Sequence, residues 1–582
     1  MQTTQAAVPQ AGVRADSRPS RTSPARLQGL AALGVYAAAW IGYCVRALVL
    51  HPGMPQLDQS SMDPNLFTWM LRWWPYAISH GLDPLRTSLI GVPAGFNLAW
   101  LTTVPPLALI VSPVTVLFGP VVSFNLLVVI APPLAGWAAF VLCRRLTGRF
   151  WPALAGGAVY AFSAYEYNHS VPGHLDMTFS LLLPLMGYLT LLWHEGRIGR
   201  NAFIGLLTAG LLVQQFLFLE TFADLTAMWA AGLVAGYLVA RRSWRPEIAR
   251  LSRYVGIAYL ITFALSAPYL YYVVRNTPTG FVRTSPQNSA LNLANMVVPR
   301  PSQTLGLSFL HQYSLSLASH FTVSESCYVG IPMLLLVVAA GVTTWSSRLT
   351  RFLVIMFVFA VLVSMGPDVQ TGNLHELPLP WAELWKLPIA RSAFPNRVMV
   401  FGFLALAVVL ARWLASPAWQ ATWRWLLGVL AVAGILLDIA PIATATPTAS
   451  AALPPFISTG LFRHYLTSGE TVVVISTRGN AGLLWQAETD FYVRIAGGFV
   501  SQAISRHSDL PGPIQRLSDP SPAIYRQAAA FLRQAHVGAI LVEGDKQVRW
   551  TGSLDHLGLR GQSVGGVIIF RVNRPAAATA AT

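Results

Sequence analysis

The sequence predicts an α-helical, polytopic membrane protein carrying a small α/β domain at its C-terminal end. Three observations carry this reading. Of 582 residues, 54% are hydrophobic and only 11% are charged, against about 25% charged in soluble domains. Apolar runs suited to membrane helices recur from residue 28 to residue 443, parted by short arginine-bearing loops. From residue 444 onward the runs become short, β-branched and alternating with one amphipathic helix.

The formal charge is +16. Nucleic-acid binding would want that charge gathered on one soluble face. Here much of it lies in short loops between apolar runs, so membrane topology accounts for it and no nucleic-acid partner is expected. Cys44, Cys143 and Cys327 lie far apart in the chain, with neither metal-site spacing nor the look of a disulfide framework.

Residues 1–25 are rich in Ala, Gln, Thr, Ser, Pro and Arg without apolar period, and read as a disordered tail. Arg14, Arg18, Arg21 and Arg26 hold it in the cytoplasm. A membrane region of about eleven spans follows, residues 26–443, beginning with a signal anchor near 28–49. Its first outer loop covers 50–120. The Pro-broken stretch 101–118 within it reads as lying at or dipping into the outer face, because a full crossing would put Arg144, Arg145 and Arg149 outside. The remaining spans are 121–143, 151–166, 177–193, 202–219, 222–240, 255–274, 327–346, 352–366, 398–411 and 425–443. Residues 444–575 form the expected extracytoplasmic α/β domain: strands at Thr471–Ile475, Gly538–Val542 and Gly566–Phe570, and a helix opened by Ser521-Pro522. Residues 576–582 read as frayed.

One stretch of the first outer loop stands out. Asp58 and Asp63 precede a helical pattern with Leu66, Trp69, Met70, Trp73 and Ala77 on one face. So greasy and tryptophan-rich a face predicts a juxtamembrane helix lying in the membrane interface. The topology then gathers charge at the outer face: Asp58, Asp63, His174, Asp176, Glu220, Asp224, Glu325, Asp368, Arg391 and Arg397. Carboxylates at span ends are costly to bury, which favours a functional reason for them. The cytoplasmic loops hold no glycine-rich nucleotide loop, so an activated substrate is expected outside, as a lipid-carried sugar rather than a sugar nucleotide.

Several motifs resemble the GT-C superfamily of polytopic glycosyltransferases, and within it the bacterial, polyprenyl-phosphate-sugar-dependent type. They are Asp63-Pro64 with Phe67, Trp69, Leu71 and Trp73-Trp74-Pro75; Val92-Pro93-Ala94-Gly95-Phe96-Asn97; Thr103-Val104-Pro105-Pro106; Gly173-His174-Leu175-Asp176; Glu325 to Gly330; and Leu387-Pro388 through Arg391 to Pro395-Asn396-Arg397. The resemblance implies that an aspartate of the first outer loop takes a proton from the acceptor hydroxyl, which attacks the anomeric carbon with inversion. Cationic groups would meet the departing phosphate.

On this basis Asp63 is the expected base, with Asp58 as the competing carboxylate. The structural alternative for Asp63 is a helix cap, since Asp before Pro is a good N-cap with Pro at N1. Arg391, Arg397 and His174 are expected at the donor phosphate. Asp176, Glu220, Glu325, Tyr328 and Trp69 are candidates for substrate binding. Structural alternatives are Arg391 and Arg397 orienting the outer end of the 398–411 span, His174 and Asp176 as solvated loop groups, Glu220 paired with an arginine, and Glu325 capping the next span. No cofactor is firmly implied. A divalent metal stays open, although His174 and Asp176 alone are too few ligands. The expected partners are a polyprenyl-phosphate sugar, the bilayer, and a cell-envelope glycan, lipid or protein acceptor. The expected location is the inner (plasma) membrane, with the N-terminus cytoplasmic and the C-terminal domain outside. A lipid or glycan transporter, or a non-enzymatic assembly protein, are the alternatives; a transporter would want charges spread through the spans and internal repeats.

Overall fold

The computed structural model describes residues 24–55, 62–275, 290–299, 312–313, 327–371, 374–384, 393–416, 422–438, 453–476, 479–498, 510–519, 521–543 and 547–572. The chain is mostly helical, and a helix stands at each place read as a span. Five helical stretches among the described residues are long and apolar enough to cross a membrane: Pro120–Thr147, Leu175–His194, Leu219–Val239, Arg242–Arg275 and Pro395–Ala415. Ile331–Thr344 and Trp423–Gly434 are shorter apolar helices. The first expected span is broken, as Pro24–Tyr43 and Arg46–Leu50 meet at Cys44-Val45.

Local chemistry sets the ends of these helices. Pro120 starts one right after Gly119, and Gly148, left-handed at φ 69°, ends it. Arg144 and Arg145 occupy its last turn, where a helix favours cations. The helix Met399–Ala415 is buried along nearly its whole length, between Phe150–Ala161, Arg348–Ser364 and Pro120–Thr147. Helices approach closely where side chains are small: a Cβ on Gly157 would stand 2.7 Å from the Gly136 carbonyl oxygen and 2.8 Å from the Tyr36 ring. Tyr36 closes this contact by donating to the Leu154 carbonyl at 2.8 Å.

The stretch 101–118 forms two short helices, Pro105–Ile110 and Ser112–Phe118, meeting at Val111. Ile110, Leu117 and Phe118 point outward from the protein, each more than half exposed. The helix Asp63–Ser79 corrects the sequence reading. Its tryptophan face does not lie on a membrane surface. Leu66, Trp69, Met70, Trp73 and Ala77 are all buried, turned into the protein against Pro105–Ile110, Pro120–Thr147 and the C-terminal helix Ala481–Glu488. An apolar face suits a protein neighbour as well as a lipid one, and periodicity does not tell them apart.

Two small antiparallel hairpins pair β1 (Arg86–Thr87) with β2 (Phe96–Asn97) and β3 (Asp368–Thr371) with β4 (Leu374–Pro378). The C-terminal region carries β5 (Thr471–Ile475), β6 (Arg494–Ile495), β7 (Val537–Glu543), β8 (Gly561–Val564) and β9 (Val567–Arg571). They form one sheet in the order β6-β5-β7-β9-β8, parallel across β6, β5 and β7 and antiparallel at β9 and β8. Helix Pro522–Gln534 is capped by the Ser521 hydroxyl accepting from the Ile524 amide, as Ser before Pro leads one to expect. The sheet does not end at β6. Ile495 N–H donates to Leu89 (2.8 Å), Val92 N–H to Ile495 (3.2 Å) and Gly91 N–H to Gly497 (2.9 Å), so residues 89–92 extend its edge.

Candidate active site

Asp63 is the first residue of its helix, with Pro64 behind it. The cap position is Met62, one residue before Asp63, and the Met62 side chain makes no capping hydrogen bond. Asp63 keeps a third of its side chain exposed (34%), and its Oδ2 lies 3.4 Å from His174 Nε2.

His174 belongs to a buried turn between two helices. Gly173 at φ 81° makes that turn, and a Cβ there would stand 2.6 Å from the Phe124 ring. The His174 amide donates to the His169 carbonyl at 2.8 Å. The two imidazoles also meet, Nδ1 to Nδ1 at 3.2 Å. One of these nitrogens must carry a proton and the other accept it, so the tautomers of the two rings are linked. Asp63, His174 and His169 thus form a chain running from a half-open carboxylate into the protein.

Asp176 follows in the short helix Leu175–Thr178 and is buried. Its Oδ1 has no hydrogen-bond partner among the described residues. The charges it senses are those of Asp63, Arg397 and Glu220, which links the turn to the next cluster. There Arg397 Nη1 donates to Glu220 Oε2 at 2.6 Å, with only 12% and 14% of the two side chains exposed. The Phe394 amide donates to the other Glu220 oxygen. The Arg397 guanidinium lies 4.0 Å from the Phe394 ring centroid and 5.3 Å from that of Phe218. Much of the Arg397 charge is therefore already met.

The other sequence candidates divide. Tyr328 is buried, and its chain neighbour Cys327 contacts the carbonyl of Asn396, next to Arg397. Trp69 is fully buried and its indole N–H donates to Gln486 Oε1 at 2.7 Å, which places it in the packing behind Asp63. Asp58, Glu325 and Arg391 lie outside the described residues. Among the described residues, no three His, Cys, Asp or Glu side chains converge as metal ligands.

Sequence reasoning passed over His169, Glu166 and Gln486. Glu166 is completely buried, accepts from the Ser180 hydroxyl through Oε1, and has no hydrogen-bond partner for Oε2 among the described residues. The available signal was crowding: Glu166, His169, His174 and Asp176 fall within eleven consecutive residues. Gln486 left no local signal, being 417 positions from Trp69.

The helical bundle with this buried polar turn facing the first loop, joined to a mixed C-terminal sheet, is a fold shared with solved structures. The chain is similar to the mycobacterial arabinofuranosyltransferase AftD, with a TM-score of 0.55 at 12% identity over 94% of this chain and 42% of that one. It is similar as well to the apo form of the oligosaccharyltransferase of Archaeoglobus fulgidus, with a TM-score of 0.50 at 12% identity over 94% of this chain and 74% of that one. The chain thus spans less than half the length of the arabinofuranosyltransferase, and at such identities the likeness is one of fold. No known family of sequences matches the chain, and no curated protein does.

Proposed function

We propose that this protein is a membrane glycosyltransferase. It takes a sugar from a polyprenyl-phosphate-linked donor and passes it to a cell-envelope glycan, lipid or protein on the outer face of the membrane, with inversion. The observation that carries the reading is Asp63: a partly exposed carboxylate, backed by the buried His174–His169 pair, with a second buried carboxylate, Asp176, two residues after His174. In this reading His174 Nε2–H donates to Asp63 Oδ2, and the Asp63 carboxylate takes the acceptor proton. The acceptor oxygen bonds to the anomeric carbon as the carbon–oxygen bond to phosphate breaks, and polyprenyl phosphate departs with the electron pair. Arg397 supports that charge to the extent that it shares its guanidinium between Glu220 and the phosphate. Asp58 and Arg391 remain assigned from sequence to the base and phosphate roles, and Glu325 and Tyr328 to the sugar.

The finer fold reading is part of the same proposal: about eleven spans, the N-terminus in the cytoplasm and the C-terminal region outside. The basic loops at one end of the bundle support it. A divalent metal has no ligand set of three among the described residues, and equal turnover with and without a chelator is the expected result.

The test is turnover by purified protein in liposomes. Synthetic polyprenyl-phosphate sugars are offered with envelope extract as acceptor, and released polyprenyl phosphate is followed by mass spectrometry. Asp63→Asn is expected to lose about 10²- to 10⁴-fold in rate while Asp58→Asn keeps turnover. Loss confined to Asp58→Asn would move the base. No release and no binding of any lipid sugar would overturn the glycosyltransferase reading in favour of transport or assembly.

A further inference from the structure

The helix that begins at Asp63 is held along one side by the C-terminal region, some 400 residues away in sequence. Asn480 Nδ2 donates to the Met62 carbonyl at 3.2 Å, and Asn65 Nδ2 to the Gly479 carbonyl at 2.6 Å. Trp69 donates to Gln486, and Arg72 pairs with Asp490 at 2.8 Å. Gln486 is the centre of this array. It is fully buried, and beyond accepting from Trp69 it donates to the carbonyls of Leu89 (3.0 Å) and Val493 (2.7 Å). One side chain therefore ties together the Asp63 helix, the first-loop strand that extends the sheet, and the C-terminal region itself.

The turn after Gln486 adds a wedge. Asp490 and Phe491 are consecutive non-glycine residues at φ 55° and 58°, a conformation kept only where the surroundings over-determine it. It drives the Phe491 ring against Trp69 (5.6 Å), Trp73 (5.7 Å) and Tyr76 (4.4 Å between centroids). Trp69 stacks on Trp73 at 5.2 Å, so fixing one ring fixes the other. Trp69 stands six residues beyond Asp63, about 9 Å along the helix axis. His174 is set from the bundle side, where a Cβ on Gly173 would meet Phe124 at 2.6 Å and Pro64 of the Asp63 helix at 3.2 Å. The Asp63–His174 separation thus depends on how the Asp63 helix is seated between Pro120–Thr147 and the C-terminal region.

We propose that Gln486 is a positioning residue for the reaction: through Trp69 it sets the register of the Asp63 helix against His174. The inference rests on the reading of Asp63 as base. Misplacing a reacting group by about 1 Å costs on the order of 10²-fold in rate, so the effect falls on kcat.

The experiment compares wild type, Gln486→Leu, Trp69→Phe and the double variant in liposomes, using the polyprenyl-phosphate sugar that turns over in the donor panel. Hydrogen exchange of the amides of residues 64–72 is followed by mass spectrometry on the same samples. Gln486→Leu removes the polar node at similar volume, and Trp69→Phe removes the indole N–H while keeping a ring on Trp73. Each is expected to lower kcat about 10- to 100-fold with KM for the donor within about twofold, and to speed exchange in the helix. The double variant should lose less than the product of the two single losses, because both singles remove the same Trp69–Gln486 bond. Unchanged kcat, with or without faster exchange, would overturn the proposal, as would a rise in KM alone. Should Gln486→Leu fail to fold, Trp69→Phe decides by the same criteria. Absence of both turnover and lipid-sugar binding in wild type would sink the glycosyltransferase reading and the positioning role with it, while hydrogen exchange would still report whether the contact holds the helix.

Discussion

The pair of Arg397 and Glu220 gives a sharp prediction. The two side chains meet at 2.6 Å with 12% and 14% of their surfaces exposed, so each charge has exchanged most of its water for the other. Removing one partner of such a pair costs about 3–5 kcal/mol, because the remaining charge stays buried without compensation. Glu220→Gln keeps an acceptor for the Phe394 amide and takes the ion-pair partner from the guanidinium. Arg397→Met keeps the bulk of the side chain and strands the carboxylate, and it also gives up the stacking on Phe394 at 4.0 Å, worth about 0.5–2 kcal/mol. Removing both charges eliminates the uncompensated group, and replacing a buried pair by apolar groups is often near neutral. The double variant is therefore expected to be more stable than either single, with a coupling of about 3 kcal/mol or more. Unfolding of detergent-solubilised protein by SDS titration, followed by tryptophan fluorescence, measures all four proteins. Singles within about 1 kcal/mol of wild type, or a double equal to their sum, would refute the reasoning; the first is the range of a solvated pair.

Three further predictions follow from the packing and the charges. Gly157→Ala places a Cβ 2.7 Å from the Gly136 carbonyl and should destabilise by about 1–3 kcal/mol through overpacking, read in the same titration. The Arg72–Asp490 bridge has 21% and 60% of its side chains exposed, so Arg72→Gln should change stability by no more than about 1 kcal/mol and lose even that in high salt. Burial pushes the Glu488 carboxyl above the usual range, against the opposing pull of the Val121 amide and Arg72. With a raised folded-state pKa, its stabilising contribution is full at acid pH, below the unfolded value, and is lost as pH rises through the folded value. Glu488→Gln should therefore gain on wild type between acid and neutral pH, and equal shifts at both would contradict this.

Much of the bundle was legible because apolar periodicity and arginine placement are local signals. So were β5, β7 and β9, whose runs of Val and Ile are short and bounded, and the helix opened by Ser521-Pro522. The Asp63 helix was legible as a helix, but not its surroundings: Trp69 and Trp73 look alike in sequence whether they meet lipid or Phe491. Asp63 and His174 were found one at a time, and their meeting depends on two loops brought together by the bundle. His169 escaped because a histidine on a short buried helix carries no pattern of its own. Gln486 escaped because its partners Trp69 and Leu89 lie about 400 residues upstream, beyond any window of periodicity.

The sheet edge shared by residues 89–92 and β6 bears on how the chain is made. The first loop leaves the ribosome early, while Ile495 and Gln486 emerge some 400 residues later. At about 5–20 residues per second that interval is roughly 20–80 s. Throughout it the Asp63 helix lacks the C-terminal neighbours that cover its tryptophans, and the segment 89–92 lacks the sheet edge that it pairs with. The front of the molecule is thus finished by its last-made part, and a chain cut short before β6 would carry Asp63 and His174 without the wall that holds them in step.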